Sequence, residues 1–144
     1  IIAIIGIIAL IAFLIPAIFY CLSLQRALER CAPDNRRMIP GLVWLNMIPL
    51  VSNVWIFITV CKLAESLRNE YASRGLQSEG GGYGFGVGIA MGVLALLAII
   101  PYVGIVALIG YLVCWIIHWV TISSCRRKIE EVDRNLQTPS TPQT

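Results

Sequence analysis

Apolar and polar positions fall into long blocks along this chain. Residues 1–24 are almost wholly apolar. At ~1.5 Å per residue such a run covers a ~30 Å hydrocarbon layer with some tilt, which predicts a first transmembrane helix. The run is too long and uniform for a signal-peptide core, and no small-residue cleavage site follows, so it reads as a retained helix. It ends in Gln25-Arg26-Ala27-Leu28-Glu29-Arg30, followed by a polar linker with Pro33, Asp34, Asn35, Arg36 and Arg37. A second apolar stretch, 38–61, is interrupted by Pro40 and Pro49. It passes into 62–74, where Val60, Leu63, Ala64, Leu67 and Tyr71 share one helical face. Lys62, Glu65, Arg68, Asn69 and Glu70 take the rest of that helix, with Glu70 and Arg74 as an i,i+4 pair and Gly75 as its stop. Residues 75–84 read as a flexible linker. Two further apolar stretches, 85–100 and 102–122, flank Pro101. The last continues into Arg126-Arg127-Lys128 and an amphipathic piece around Ile129, Val132 and Leu136. The tail, 138–144, has no apolar content to bury and is expected to be disordered.

One pattern recurs. An apolar run reaches Ile-Pro, another apolar helix follows, and a mixed-charge extension ends the unit. The pairs are Ile15-Pro16, Ile48-Pro49 and Ile100-Pro101. Met47-Ile48-Pro49-Leu50-Val51-Ser52 aligns with Ile99-Ile100-Pro101-Tyr102-Val103-Gly104. The pattern points to a duplicated helical hairpin, against coincidence of common membrane residues. Proline removes a helical hydrogen bond and crowds the preceding turn. Pro16, Pro49 and Pro101 are therefore expected helix breaks, each a kink or a hairpin turn.

Composition agrees with lipid as the main solvent. The chain is 58% hydrophobic and 13% charged, about half the charge of a soluble domain (roughly 25%). Its eleven Lys and Arg lie in three clusters, 26–37, 62–74 and 126–134. Lys and Arg favour the cytoplasmic side. If 38–61 enters and returns on one side, bending at Pro49, all eleven are cytoplasmic and the N-terminus lies outside. If 41–61 simply crosses with a kink, the first two clusters oppose each other, four crossings result and the N-terminus is cytoplasmic. The re-entrant arrangement is favoured. The net charge of +3, with no basic face interleaved with aromatics, argues against nucleic-acid binding.

Little in the sequence suggests chemistry. Asn46, Ser52 and Asn53 form the most polar spot within the apolar segments. They read either as interhelical hydrogen bonds holding the break at Pro49 or as the lining of a small-solute path. Gly88-x-x-x-Gly92 reads as helix-packing glycine. His118, among Trp115, Ile116, Ile117 and Trp119, has no acidic partner in any apolar stretch and reads as interfacial packing beside a tryptophan belt. Gly82-Tyr83-Gly84-Phe85-Gly86 superficially resembles a potassium filter but lacks the preceding pore helix and the threonine-led ladder. Glu65, Glu70, Glu130 and Glu131 have basic neighbours at helical spacing and read as solvated ion pairs. The cysteines, at 21, 31, 61, 114 and 125, include no C-x-x-C and read as small buried hydrophobes. No catalytic, cofactor-binding or metal constellation is expected.

Several stretches resemble an uncharacterised family of small bacterial multi-pass inner-membrane proteins. They are Leu24-Gln25-Arg26-Ala27-Leu28 with Cys31-Ala32-Pro33-Asp34-Asn35-Arg36; Pro40-Gly41-Leu42-Val43-Trp44-Leu45 with Ile48-Pro49-Leu50; Val54-Trp55-Ile56-Phe57; Ala64-Glu65-Ser66-Leu67; Ile100-Pro101-Tyr102-Val103-Gly104; and Val113-Cys114-Trp115-Ile116-Ile117-His118-Trp119-Val120. The resemblance implies an architecture and a bacterial envelope, and no activity. Tyrosine is usual in that family where this chain has His118.

The expected fold is an all-α membrane protein. It comprises three full crossings plus a Pro-bent re-entrant hairpin, or four crossings, with cytoplasmic amphipathic helix extensions. One transmembrane domain covers 1–137: a first helix with its extension (1–31), a Pro-broken segment with its amphipathic helix (38–74), and a hairpin with the C-terminal extension (85–137). The expected function is a non-enzymatic accessory or scaffold subunit in the inner membrane, C-terminus cytoplasmic. Its partners are the lipid bilayer and itself or a larger membrane complex. The alternative is a small oligomeric channel or transporter lined by the polar residues of the second membrane segment.

Overall fold

The computed structural model describes residues 1–78, 80–100 and 103–137, apart from the side chains of Ile2, Ala9 and Pro49. It holds α1 (Ile2–Arg30), a 3₁₀ helix η1 (Pro40–Met47), α2 (Pro49–Ser73), α3 (Phe85–Leu97) and α4 (Gly104–Gln137). Every element among the described residues is helical. Three helices, α1, α2 and α4, are long and apolar enough to cross a bilayer, so the chain is an all-helical, multi-pass membrane protein. That number is the expected one, but its members differ. The stretch 85–100 yields only the thirteen residues of α3, ~20 Å of helix against a ~30 Å core.

Contacts between segments set the directions. Tyr20 meets His118, Ser23 meets Trp119 and Arg30 meets Glu130, so α1 and α4 run parallel. Arg37 meets Ser66, Asn46 meets Thr59 and Leu42 meets Trp55. Arg37 ahead of η1 also pairs with Glu65 far along α2, and α2 starts directly after Ile48, so η1 and α2 form an antiparallel hairpin with its tip at Ile48-Pro49. Gly88 faces Val60 and Gly92 faces Phe57, while Gly110 faces Leu94, so α3 runs antiparallel to both α2 and α4. Both hairpin tips and the start of α1 therefore lie at one end. The three cationic clusters gather at the other, tied by Arg30–Glu130, Arg37–Glu65 and Arg74–Asp133.

The proline expectations resolve differently at each site. α1 continues as one helix through Pro16, so of the kink or hairpin turn expected there the turn does not occur. A proline inside a helix costs one hydrogen bond, and the rest of a long apolar rod in lipid can sustain that loss. Pro49 opens α2 at the helix start, where its missing N–H is no loss. Pro101 lies outside the described residues, as does the expected disordered tail 138–144. The first hairpin arm is 3₁₀ rather than α. Eight residues caught between Pro40 and Pro49 gain length from the looser rise, ~16 Å instead of ~12 Å, and so reach the tip.

The well-packed core sits at the charged end. Leu24, Leu28, Leu63, Leu67, Ile122 and Ile129 are all buried where α1, α2 and α4 run on together past the apolar segments. The predicted face Val60, Leu63, Ala64, Leu67 and Tyr71 is wholly buried there. Leu136, expected on the same kind of face in α4, is exposed, because α4 outruns its neighbours. Gly75, with φ +64°, ends α2, the Leu76 N–H reaching back to the Tyr71 carbonyl at 2.9 Å.

Candidate functional site

Two polar constellations emerge. The first is at the charged end. Glu70, expected to be a solvated ion pair, is 1% exposed. One carboxylate oxygen accepts from the Ala32 N–H and from Asn35 Nδ2, each at 2.8 Å. The other accepts from Arg74 Nε at 2.6 Å, and Arg74 also pairs with Asp133 of α4. The polar linker after α1 thus folds down onto α2. Arg36 completes the fold by donating to the Leu28, Glu29 and Cys31 carbonyls at the end of α1. Arg37 N–H donates to Ser66 Oγ at 2.9 Å. Ala32, Asn35 and Arg74 thus converge on Glu70 and tie the linker to α2. The i,i+4 spacing to Arg74 was visible in sequence. Burial by the distant loop 32–35 was not.

The second constellation lies near the hairpin tip, within the apolar half. A cavity of about 390 Å³ opens between α1, the η1–α2 hairpin, α3 and α4. Asn46, Ser52 and Asn53, the three residues singled out from sequence, all line it. Asn46 Nδ2 donates to Thr59 Oγ1 at 3.1 Å across the hairpin, and Thr59 is fully buried. Asn46 Oδ1 is buried without a hydrogen-bond partner among the described residues. Ser52 and Asn53 have interactions of their own. Tyr20 and Tyr111 bring hydroxyl-bearing rings to the same cavity, and neither was anticipated. Both stand in otherwise apolar helices, and only the tertiary fold turns them inward. Small side chains leave the space: Ala17 and Cys21 on α1, Ala95 on α3.

Around this cavity the aromatic groups act as staples. Tyr20 OH lies 2.9 Å from His118 Nδ1 and stacks edge-on against Trp115. His118 is 1% exposed, set against Gly84 and Gly88. It is a packed core group of α1, α3 and α4 rather than an interfacial one. Trp55 Nε1 donates to the Leu42 carbonyl, and Trp119 Nε1 to Ser23 Oγ, both at 2.8 Å. Gly88 and Gly92 are buried on α2, where an added Cβ would stand 2.5 Å from Val60 and 2.8 Å from Phe57. Their missing side chains let α3 lie directly on α2. Gly84, within the filter-like run, has φ +77° and caps the start of α3.

Searches of protein-family models, curated proteins and solved structures find no match to this chain. Function is therefore argued from the geometry. No three His, Cys, Asp or Glu side chains among the described residues come together in a way that could hold a metal.

Proposed function

We propose that this protein is a non-enzymatic accessory or scaffold subunit of a bacterial inner membrane, working through helix association, with its C-terminus in the cytoplasm. The resemblance read from the sequence supports the bacterial setting. Collection of the cationic clusters at one end supports the orientation, since Lys and Arg are retained on the cytoplasmic side.

One observation carries the association. Of the described side chains up to Phe19, none is buried, and Ile4, Ile5, Ile7, Ile8 and Leu10 are all more than half exposed. α1 is anchored at its C-terminal third, where Leu24, Ala27 and Leu28 join the core, and projects the rest as a rod. In lipid, helix association draws on packing rather than on the hydrophobic effect. A rod with so much of its apolar surface turned outward is free to supply such packing to another helix of the same protein or of a larger complex. The test is a photocrosslinking residue at Ile8, in cells, followed by purification from native membranes. Adducts to a second copy or to a specific membrane protein are expected. A lone, uncrosslinked monomer would overturn the reading.

A second reading draws on the convergence of Asn46, Ser52 and Asn53 on one cavity. A small oligomeric channel or transporter would use them as its polar lining. Flux through proteoliposomes would then fall in Asn46→Leu and Asn53→Leu. Flux that is absent or unchanged removes it.

A further inference from the structure

The cavity behind α1 has properties that neither scaffold nor pore requires. Its volume of about 390 Å³ falls within the range, roughly 300–1,000 Å³, of pockets that hold small molecules. Its wall is mostly apolar, with Leu10, Phe13 and Leu14 on one side and Ile56 and Trp115 on the other. Polar groups cluster at the hairpin tip, where Asn46, Ser52 and Asn53 come from residues on both sides of Pro49. Among the described residues, no Asp, Glu, Lys, Arg or His lines it. An ionised head group placed there would be left without a counter-charge at membrane depth, a cost of several kcal/mol. A purely apolar occupant would offer Asn46 Oδ1 no partner. Only an uncharged head with hydrogen-bonding capacity suits both halves of the wall. Asn46 adds a specific driving force. Its Oδ1 is buried without a partner among the described residues, and a turn of the amide toward the cavity, in exchange for its 3.1 Å bond to Thr59, would let a hydroxyl satisfy it.

We infer that this cavity is a binding site for a membrane-dissolved amphiphile with a neutral, hydroxyl-bearing head, the head held at the Asn46–Asn53 tip and the apolar body lying along α1 against Phe13 and Trp115. Entry is from the lipid, beneath the exposed half of α1. A hydroxyl suits this site better than a carbonyl because it both donates and accepts. It can therefore pair with either face of a carboxamide.

The experiment uses the full chain in lipid nanodiscs and two photoreactive probes, a diazirine-bearing dodecanol and its methyl ether. The alcohol should crosslink saturably to residues 10–21 and 46–56, and unlabelled dodecanol should compete. The ether, unable to donate, should bind roughly fivefold to tenfold more weakly, the worth of one hydrogen bond. Asn46→Leu removes the acceptor and should narrow that gap while leaving crosslinking in place. Ala95→Trp and, separately, Ala17→Phe fill the space and should abolish saturable crosslinking at unchanged helical content. The native chain decides the matter even if the filled variants fail to fold. Labelling that does not saturate, spreads over the outer faces of α1 and α4, and treats alcohol and ether alike would be ordinary lipid contact, and would overturn the assignment.

Discussion

Removing the Glu70 carboxylate strands three donors at once, two from the linker after α1 and one from the end of α2: the Ala32 N–H, Asn35 Nδ2 and Arg74 Nε. Hydrogen bonds to a buried charge are worth ~1.5–3 kcal/mol each, although Arg74 keeps Asp133 as a second partner. Glu70→Gln should therefore cost about 2 kcal/mol in thermal or denaturant unfolding in detergent. The exposed Glu131→Gln should stay within ~0.5 kcal/mol of the parent. Equal effects would show that Glu70 is as solvated as its helical spacing suggested. Cys31, which caps α1, is a second residue set by its surroundings. Burial, with the nearby Glu70 carboxylate adding to it, pushes its thiol up to about 12. The thiolate is the reactive form, so only on the order of one Cys31 in ten thousand is available at pH 8. A membrane-permeant maleimide at that pH should label the exposed Cys61 and leave Cys31 intact until the protein unfolds. Comparable labelling of both in the folded state would contradict the packing around Cys31.

At the scale of elements, α3 is the shortest α-helix among the described residues and packs through small residues. A Cβ at Gly88 would stand 2.5 Å from Val60 Cγ1 and 3.0 Å from His118 Cδ2, so Gly88→Ala must push α3 away from α2. Overpacking of this kind costs ~1–3 kcal/mol. Gly86 on the same helix has nothing within 4 Å of its Cβ position. Gly86→Ala should be neutral or stabilising by up to ~1 kcal/mol, through helix propensity alone. Adding Val60→Ala to Gly88→Ala should recover part of the loss, and a double-mutant cycle on thermal midpoints measures the coupling. Additive effects would mean that the two residues do not meet. The η1–α2 hairpin has a different logic. Its arms differ in helix type, and the Asn46–Thr59 and Leu42–Trp55 bonds join them across the bend.

For the whole molecule, the decisive feature is that both hairpins turn at the end opposite the charges. Cysteines introduced at Arg37, Arg68 and Arg127 in a cysteine-free background should all react with a membrane-impermeant maleimide from the same side. Arg37 at the opposite face from Arg68 would restore a straight crossing by 41–61. The molecule is thus a hybrid. Its charged end has a soluble-style core built from three helices, and its other end is a looser array of apolar rods with a cavity among them. This division explains where the polar linker 31–39 goes. In lipid its backbone groups would lack partners. At the charged end they bond to Glu70, Ser66 and the close of α1.

Much of this was already legible along the chain. Apolar runs longer than a bilayer needs dictate helices, because lipid offers backbone groups no other partner. The 3.6-residue rhythm of Val60, Leu63, Leu67 and Tyr71 marked the face that is buried. The gathering of Asn46, Ser52 and Asn53 was readable as well, because polar side chains are conspicuous in an apolar run. What needed the tertiary structure was every property set by a partner distant in sequence. Pro16 and Pro49 follow identical Ile-Pro steps, yet α1 runs on through one and the other starts α2 at the tip of a hairpin. Glu70 is buried by a loop thirty-eight residues away, and His118 by Tyr20 at a separation of ninety-eight. Local spacing cannot encode such meetings. They depend on which helices lie side by side, and that is settled only when small residues such as Gly88 and Gly92 let neighbouring rods close together.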